Sequence, residues 1–429
     1  MVTSLEANLN VVYPEKQNAT YISQVNFSDD LNKPFQRWYR YKEGFSIDLV
    51  KKIIADFARY DEGIILDPFS GSGSTLLAAS QLGNYSSIGF EVNPFSYFLT
   101  SVKLDNYSKD DIATFKTLYQ KVLNDENTEA PLPELSISNQ VFENEVREKI
   151  MTVKKNIMDL EAQQVNTKVI NLLKLGWLSS IEELSIYRKA GNGLKKRKVK
   201  NPVTLSWEDV YFKLDHIYSM MHSDLADNQF AKFADVYNDS CLNMDKYIQD
   251  DSLVGVIFSP PYANCFDYTE IYKLELWFGD FVKSYKDKKE LRNKSLRSHL
   301  NGNLKEDVDE FYTISELEEI LEELKTKDLW DKKIPNMIRF YFHDMFRLIE
   351  KCFNSLKSDG FCNIIVSNSA YGGTVIPTDI LFAKFAETCG FIVEKIEVAR
   401  YIITSSQQYE QTKKYKNLLR ESVVCLRKP

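Results

Sequence analysis

Histidine and cysteine are scarce: four and six among 429 residues. Cys241, Cys265, Cys352, Cys362, Cys389 and Cys425 stand far apart, with no Cys-x-x-Cys spacing. This excludes a zinc ribbon or a disulfide-stapled secreted scaffold and points to reduced thiols in a cytoplasm. So few histidines also argue against metal or histidine-base chemistry. No apolar run approaches the roughly 18 residues of a membrane span. The opening Met1-Val2-Thr3-Ser4-Leu5-Glu6 is not patterned as a signal peptide. Positive charge is in deficit, with 54 Lys and Arg against 61 Asp and Glu and a net charge of −7. This acidity disfavours a simple nucleic-acid coat, although a local patch can still bind phosphates. Internal repeats and low-complexity tracts are absent. What is present is ordinary for a globular chain, 44% hydrophobic and 27% charged, and long enough for two or three domains.

Residues 1–32 are polar and mixed, and read as a loosely structured lead-in. Arg37-Trp38-Tyr39-Arg40-Tyr41-Lys42 then precedes a helical pattern, Ile47, Leu49-Val50, Ile53-Ile54 and Phe57, with Ser46 as N-cap. Gly63-Ile64-Ile65-Leu66 is a short buried strand. It runs into Asp67-Pro68-Phe69-Ser70-Gly71-Ser72-Gly73-Ser74-Thr75 and a helix to Leu82. A strand, a Gly-rich turn and a helix let backbone N–H groups approach a ligand. The next strand, Ser87-Ile88-Gly89-Phe90, ends at Glu91. A carboxylate there suits a pair of ribose hydroxyls, or it is an exposed strand end.

The alternation then stops. Segments 108–124, 141–163, 167–182 and 206–225 carry apolar residues at helical spacing. Among them lies Arg188-Lys189-Ala190-Gly191-Asn192-Gly193-Leu194-Lys195-Lys196-Arg197-Lys198-Val199-Lys200, basic at seven of thirteen positions. It reads as a mobile phosphate-binding loop or as a solvated one. The α/β pattern resumes at 233–240, with Asp239 at a strand end. Leu253-Val254-Gly255-Val256-Ile257-Phe258 then leads into Ser259-Pro260-Pro261-Tyr262. Two prolines forbid a helix and remove two donors, leaving the carbonyls of Ser259 and Pro260 free beside an aromatic ring. Such a corner can hold a planar amine and stack a base, or be no more than a stiff turn. Residues 269–281 read as a helix. Residues 283–334 form a charged excursion, helical at 315–326. Helices at 335–357 and 377–388 and strands at 361–366, 391–404 and 422–427 follow, with a Gly-Gly turn at 372–373 and a polar stretch at 405–420 suited to a loop over the cleft.

Asp67 to Thr75 together with Ser259 to Tyr262 resembles the amino-group DNA methyltransferases that use S-adenosylmethionine, and the Ser-Pro-Pro-Tyr version resembles their cytosine-N4 branch. Asn- or Asp-led relatives are more often adenine-N6 enzymes, and an RNA guanine-N2 enzyme of the same fold is a further alternative. The resemblance implies an α/β, Rossmann-like class I methyltransferase with a mixed sheet, its catalytic domain split over 33–105, 233–282 and 335–429. Residues 106–232 would be a large helical insertion and candidate target-recognition domain, and 283–334 a smaller charged one. Phe69, Gly71 and Gly73 would line the methionine part of the cofactor, with Asp67 near its amino group. Glu91 would take the ribose hydroxyls and Asp239 the adenine. Phe45 and Ser46 would match the N-terminal cofactor motif. Ser259 and Pro260, with Pro261 behind them, would hold the target amine, and Tyr262 would stack on the extruded base. Arg188, Lys189, Lys195, Lys196, Arg197, Lys198 and Lys200 would meet double-stranded DNA. A cognate restriction endonuclease would be the expected partner, and no metal is implied.

Overall fold

The computed structural model describes all residues except 1–5, 7, 23–26, 43, 192, 199–204, 229, 306–307, 309 and 403–411. In chain order its strands are β1 (Val11–Val12), β2 (Gly63–Asp67), β3 (Tyr85–Phe90), β4 (Tyr187–Ala190), β5 (Gly193–Lys196), β6 (Ala234–Tyr237), β7 (Leu253–Phe258), β8 (Leu356–Ser367), β9 (Ser369–Tyr371), β10 (Thr374–Ile376), β11 (Ile392–Tyr401) and β12 (Arg420–Arg427). Eight of them form one sheet in the order β1-β11-β12-β8-β7-β2-β3-β6. Every pairing in it is parallel except those of β12, which lies antiparallel between β11 and β8. This is a mixed, doubly wound sheet of Rossmann-like order. All six residues of β7 are buried, as an apolar run at the centre of a sheet covered on both faces must be.

Helices Ile47–Phe57, Ser74–Leu82 and Pro94–Leu104 cover one face. Ser315–Lys325, Ile334–Ser355 and Thr378–Cys389 cover the other. Chain order runs outward in opposite directions from β2 and β7, and the crevice at such a reversal is where an α/β sheet binds ligands. Asp67, Glu91, Asp239 and Ser259 all fall at or just beyond the carboxyl ends of these strands.

The helical insertion comprises Lys109–Asn124, Asn144–Ala162, Thr167–Leu184 and Trp207–Asp227, within a few residues of the expected spans. Its apolar core is continuous with that of the sheet face. Gly176 is a glycine for packing reasons, since a Cβ there would sit 2.3 Å from the Tyr218 ring. Asp224, 1% exposed, accepts from the Phe35 N–H at 3.1 Å and the Trp38 indole at 2.8 Å, which ties the last insertion helix to the N-terminal segment.

Three expectations change. The lead-in is not loose over its described part. Val11 and Val12 pair with Ile396 and Glu397, and the Tyr21 N–H donates to the buried Glu397 carboxylate at 2.7 Å. Two valines are too short a run to announce a strand, and their partner lies some 385 residues away. The basic stretch is not a plain loop. Tyr187↔Lys196 and Ala190↔Gly193 close a hairpin, with Gly191 at φ +58° in its turn. The stretch at 269–281 is broken into Tyr268–Ile271 and Lys273–Phe278. No helix among the described residues is long and apolar enough to cross a membrane.

Candidate active site

The Gly-rich turn is built by backbone bonds. The Ser70 N–H donates to the Phe90 carbonyl at 2.9 Å and the Gly73 N–H to the Ser70 carbonyl at 2.6 Å. Asp67 is wholly buried and accepts from the Phe69 N–H at 3.0 Å. Burial pushes its carboxyl up to about 7, against the hydroxyl of Thr75 and the amide of Phe69. It lies beneath the turn and not on the cleft wall. Glu91 accepts from the Gly71 N–H at 3.0 Å and the Asn93 N–H at 2.8 Å, lacing β3 to the turn. Burial pushes this carboxyl up to about 7 as well. The ammonium of Lys103, 1% exposed, donates to the Ser72 carbonyl and to Gln36, and burial draws it down to about 7.

The turn and the strand ends beside it border a cleft at the carboxyl edge of the sheet. Phe45, Phe69, Gly71, Glu91, Asp239, Ser259 and Pro261 line it. Asp239 accepts from the Ser240 N–H at 2.7 Å, Asn243 at 2.9 Å and the Tyr247 hydroxyl at 2.9 Å. Against the upward pull of burial, these bonds hold it below the usual carboxylate range. Gly73 and Ser46 are not on the wall. Gly73 is the left-handed N-cap of helix Ser74–Leu82, and Ser46 caps helix Ile47–Phe57 by accepting from the Leu49 N–H at 3.1 Å. Ser295, Ser298 and His299, from the charged excursion, complete the wall. The Cys265 N–H docks this segment by donating to the Ser298 carbonyl at 3.2 Å. Sequence reading missed it because its polar residues show no period. The donor set fits S-adenosylmethionine: carboxylates for hydroxyls and an exocyclic amine, aromatic faces for a sulfonium, and at Gly71 a close backbone approach.

Ser259 also borders a second cleft, on the insertion side of the sheet, together with Tyr262, Glu421 and Arg400. The Ser259 hydroxyl donates to the Tyr262 hydroxyl at 3.3 Å, which donates to Glu421 Oε1 at 2.7 Å, and Arg400 Nε pairs with the other oxygen of Glu421. Burial and the Glu421 carboxylate push the Tyr262 phenol far up, so it remains a donor. Pro260 is buried behind this corner. Among the described residues no backbone or side-chain donor reaches the carbonyls of Ser259 or Pro260. Cys265 is packing: burial pushes its thiol up, and its sulfur lies 3.4 Å from the Tyr371 hydroxyl.

The basic hairpin contributes Arg188, Lys189 and Arg197 to this second cleft, and Arg37, Arg40, Lys42 and Lys213 join them. Lys189 differs from its expected role. Its side chain is 4% exposed and its ammonium lies 2.6 Å from Glu275 and 3.2 Å from Glu182. Arg197 donates to the carbonyls of Ser185 at 3.2 Å and Glu182 at 3.0 Å. Arg188, Lys195, Lys196 and Lys198 are exposed. Lys200 lies outside the described residues. The arginines at 37 and 40 were visible in the Arg-Trp-Tyr-Arg-Tyr-Lys run, where their alternation with aromatic residues was the available signal.

Residues 10–100 match the DNA methylase family. The fold and the site are those of a Rossmann-like methyltransferase that uses S-adenosylmethionine. Over nearly its whole length the chain is similar to the type II methyltransferase M.AvaI of Nostoc sp., at 29% identity over 434 residues, 94% of this chain and 89% of that one. It is also similar to the type II methyltransferase M.BsoBI of Geobacillus stearothermophilus, at 29% over 458 residues, 94% of this chain and 88% of that one. A shorter similarity, 41% over 61 residues, covers 14% of this chain and 11% of the type II methyltransferase M.MjaII of Methanocaldococcus jannaschii.

Proposed function

We propose that the protein methylates the exocyclic N4 amine of cytosine in double-stranded DNA, with the base turned out of the duplex. The observation that carries this is the position of Ser259, which borders both the cleft at the Gly-rich turn and the basic cleft. An exocyclic cytosine amine is a poor nucleophile because its lone pair is delocalised into the ring. The Ser259 hydroxyl and the free Pro260 carbonyl accept its two N–H bonds, which favours an sp³-like nitrogen. Tyr262 stacks on the base and offsets part of the cost of extrusion. When bound, S-adenosylmethionine supplies an electrophilic methyl group, and the residues of the cleft orient it for in-line attack. Phe45, Phe69 and Gly71 hold its methionine side, Glu91 its ribose and Asp239 its adenine. Asp67, Gly73 and Ser46 act beneath the wall by holding the turn and helix starts. Arg188, Arg197 and Arg40 meet the phosphates, and the helical insertion reads the target. A cognate restriction endonuclease is the natural partner of such an enzyme.

The test is to incubate the protein with labelled S-adenosylmethionine and unmethylated duplex DNA, digest to nucleosides and separate them. Label in N4-methylcytosine is expected. Label in N6-methyladenine overturns the choice of base, and label on RNA alone overturns DNA as the substrate.

Cofactor affinity should depend on pH through Glu91. Below about 7 its carboxyl is protonated and loses acceptor capacity toward two hydroxyls. Above it the carboxylate accepts both. Calorimetric titration should therefore show affinity rising from pH 6 to pH 8. Glu91→Gln should bind weakly with a flat profile, and a wild-type profile in that variant would remove Glu91 from the ribose site.

A further inference from the structure

The polar chain behind Ser259 runs in one direction. Ser259 donates to Tyr262 at 3.3 Å and Tyr262 donates to Glu421 at 2.7 Å. The hydroxyl proton of Ser259 is thus turned away from the cleft, leaving its lone pairs to face an incoming amine. The chain ends on a carboxylate only 5% exposed. The sheet delivers that carboxylate: β12 is antiparallel to both neighbours, so Glu421 sits opposite Ser367 of β8 and Arg400 of β11. Arg400 anchors the far oxygen of Glu421 and leaves the near one to Tyr262.

We infer that Glu421 is the terminal proton acceptor of the transfer reaction, reached from the target amine through Ser259 and Tyr262. The inference rests on the reading of Ser259 as the amine's partner. As the amine nitrogen forms its bond to the methyl carbon, the carbon–sulfur bond breaks and its electron pair stays on sulfur. The nitrogen then carries one proton too many. That proton passes to Ser259 Oγ, the Ser259 proton to the Tyr262 oxygen and the Tyr262 proton to Glu421 Oε1. The products are a neutral methylated amine, a neutral thioether and a protonated carboxyl. A carboxylate at the end of the chain also favours the positive charge growing on nitrogen over the neutral ground state. Tyr262 therefore has two separable duties, since its ring stacks and its hydroxyl conducts. Glu421 is a positioning and relay residue, acting through Tyr262.

Single-turnover methyl transfer, measured in light and heavy water on preformed enzyme–DNA complexes, separates these duties. Tyr262→Phe keeps the ring and Glu421→Gln keeps the shape. Both should bind cofactor and DNA as the wild type does and extrude a fluorescent base analogue normally. Both should transfer at least about a hundredfold more slowly, the lower end of what positioned proton transfer contributes. The solvent deuterium isotope effect on wild-type transfer should be large and should shrink in Glu421→Gln. Wild-type rates and isotope effects in both variants, with Ser259→Ala inactive, overturn the relay and leave the amine site standing. Full activity in Ser259→Ala overturns both. A slow Glu421→Gln enzyme that retains the wild-type isotope effect, or fails to extrude the base, shows a merely structural Glu421 and overturns the relay.

Discussion

Lys189→Met should lower the stability of the folded protein by about 3–5 kcal/mol, the usual cost of removing one partner from a buried ion pair. The ammonium of Lys189 lies 2.6 Å from Glu275, whose side chain is 0% exposed, and the Tyr39 hydroxyl donates to the same Glu275 oxygen at 2.7 Å. The rings of Tyr39 and Tyr272 flank the ammonium at 4.9 and 4.8 Å. Methionine fills the volume but leaves Glu275 without a counter-ion in an aromatic pocket. The double variant Lys189→Met, Glu275→Gln should recover most of the loss, because removing both charges removes the stranded one. Arg188→Ala, one residue away and exposed, should leave stability within about 0.5 kcal/mol and weaken DNA binding while flattening its salt dependence by about one counter-ion. Urea denaturation midpoints and salt-dependent DNA titration distinguish the two. A Lys189→Met protein as stable as wild type but weak on DNA would return Lys189 to the phosphate-binding set.

That pair marks where the sequence stopped being legible. The motifs at Asp67 to Thr75 and Ser259 to Tyr262 could be read because local geometry writes them. Pro-Pro fixes its own backbone, and Gly-x-Gly between a strand and a helix bends in few ways. Helices of the insertion were readable for the same reason, since burial of one stripe imposes a period. Charge has no such grammar. Seven basic residues in thirteen look alike in sequence, yet strand alternation in the hairpin turns Arg188 outward and Lys189 onto Glu275, a carboxylate 86 positions away. The wall formed by Ser295, Ser298 and His299 and the Glu421 end of the polar chain are equally non-local. Each exists only because a distant strand or loop docks beside Ser259. What could be seen of Glu421 was its place beside the strand at 422–427, not its neighbour.

The Gly-rich turn offers the other large effect. Gly73→Ala should weaken binding of S-adenosylmethionine by one to two orders of magnitude although Gly73 does not touch the cleft. Two strains add there. Gly73 sits at φ +81°, where an L side chain costs about 1–2 kcal/mol. A Cβ would also meet Thr100 Cγ2 at 2.8 Å. Thr100 cannot simply turn away, because its hydroxyl donates to the Gly71 carbonyl at 2.8 Å and so holds the segment that does line the cleft. The two strains are separable. Thr100→Ser deletes the clashing methyl and keeps the hydroxyl, so Gly73→Ala, Thr100→Ser should regain part of the affinity and leave the backbone term. Gly73→Asn, whose side chain tolerates the left-handed region better, should lose less of that backbone term once Thr100 is serine. Calorimetric cofactor titration across these variants reads the terms directly. Equal affinities for Gly73→Ala with and without Thr100→Ser would place the whole effect in the backbone, and a wild-type affinity for Gly73→Ala would mean that the turn does not need its left-handed cap to present Gly71.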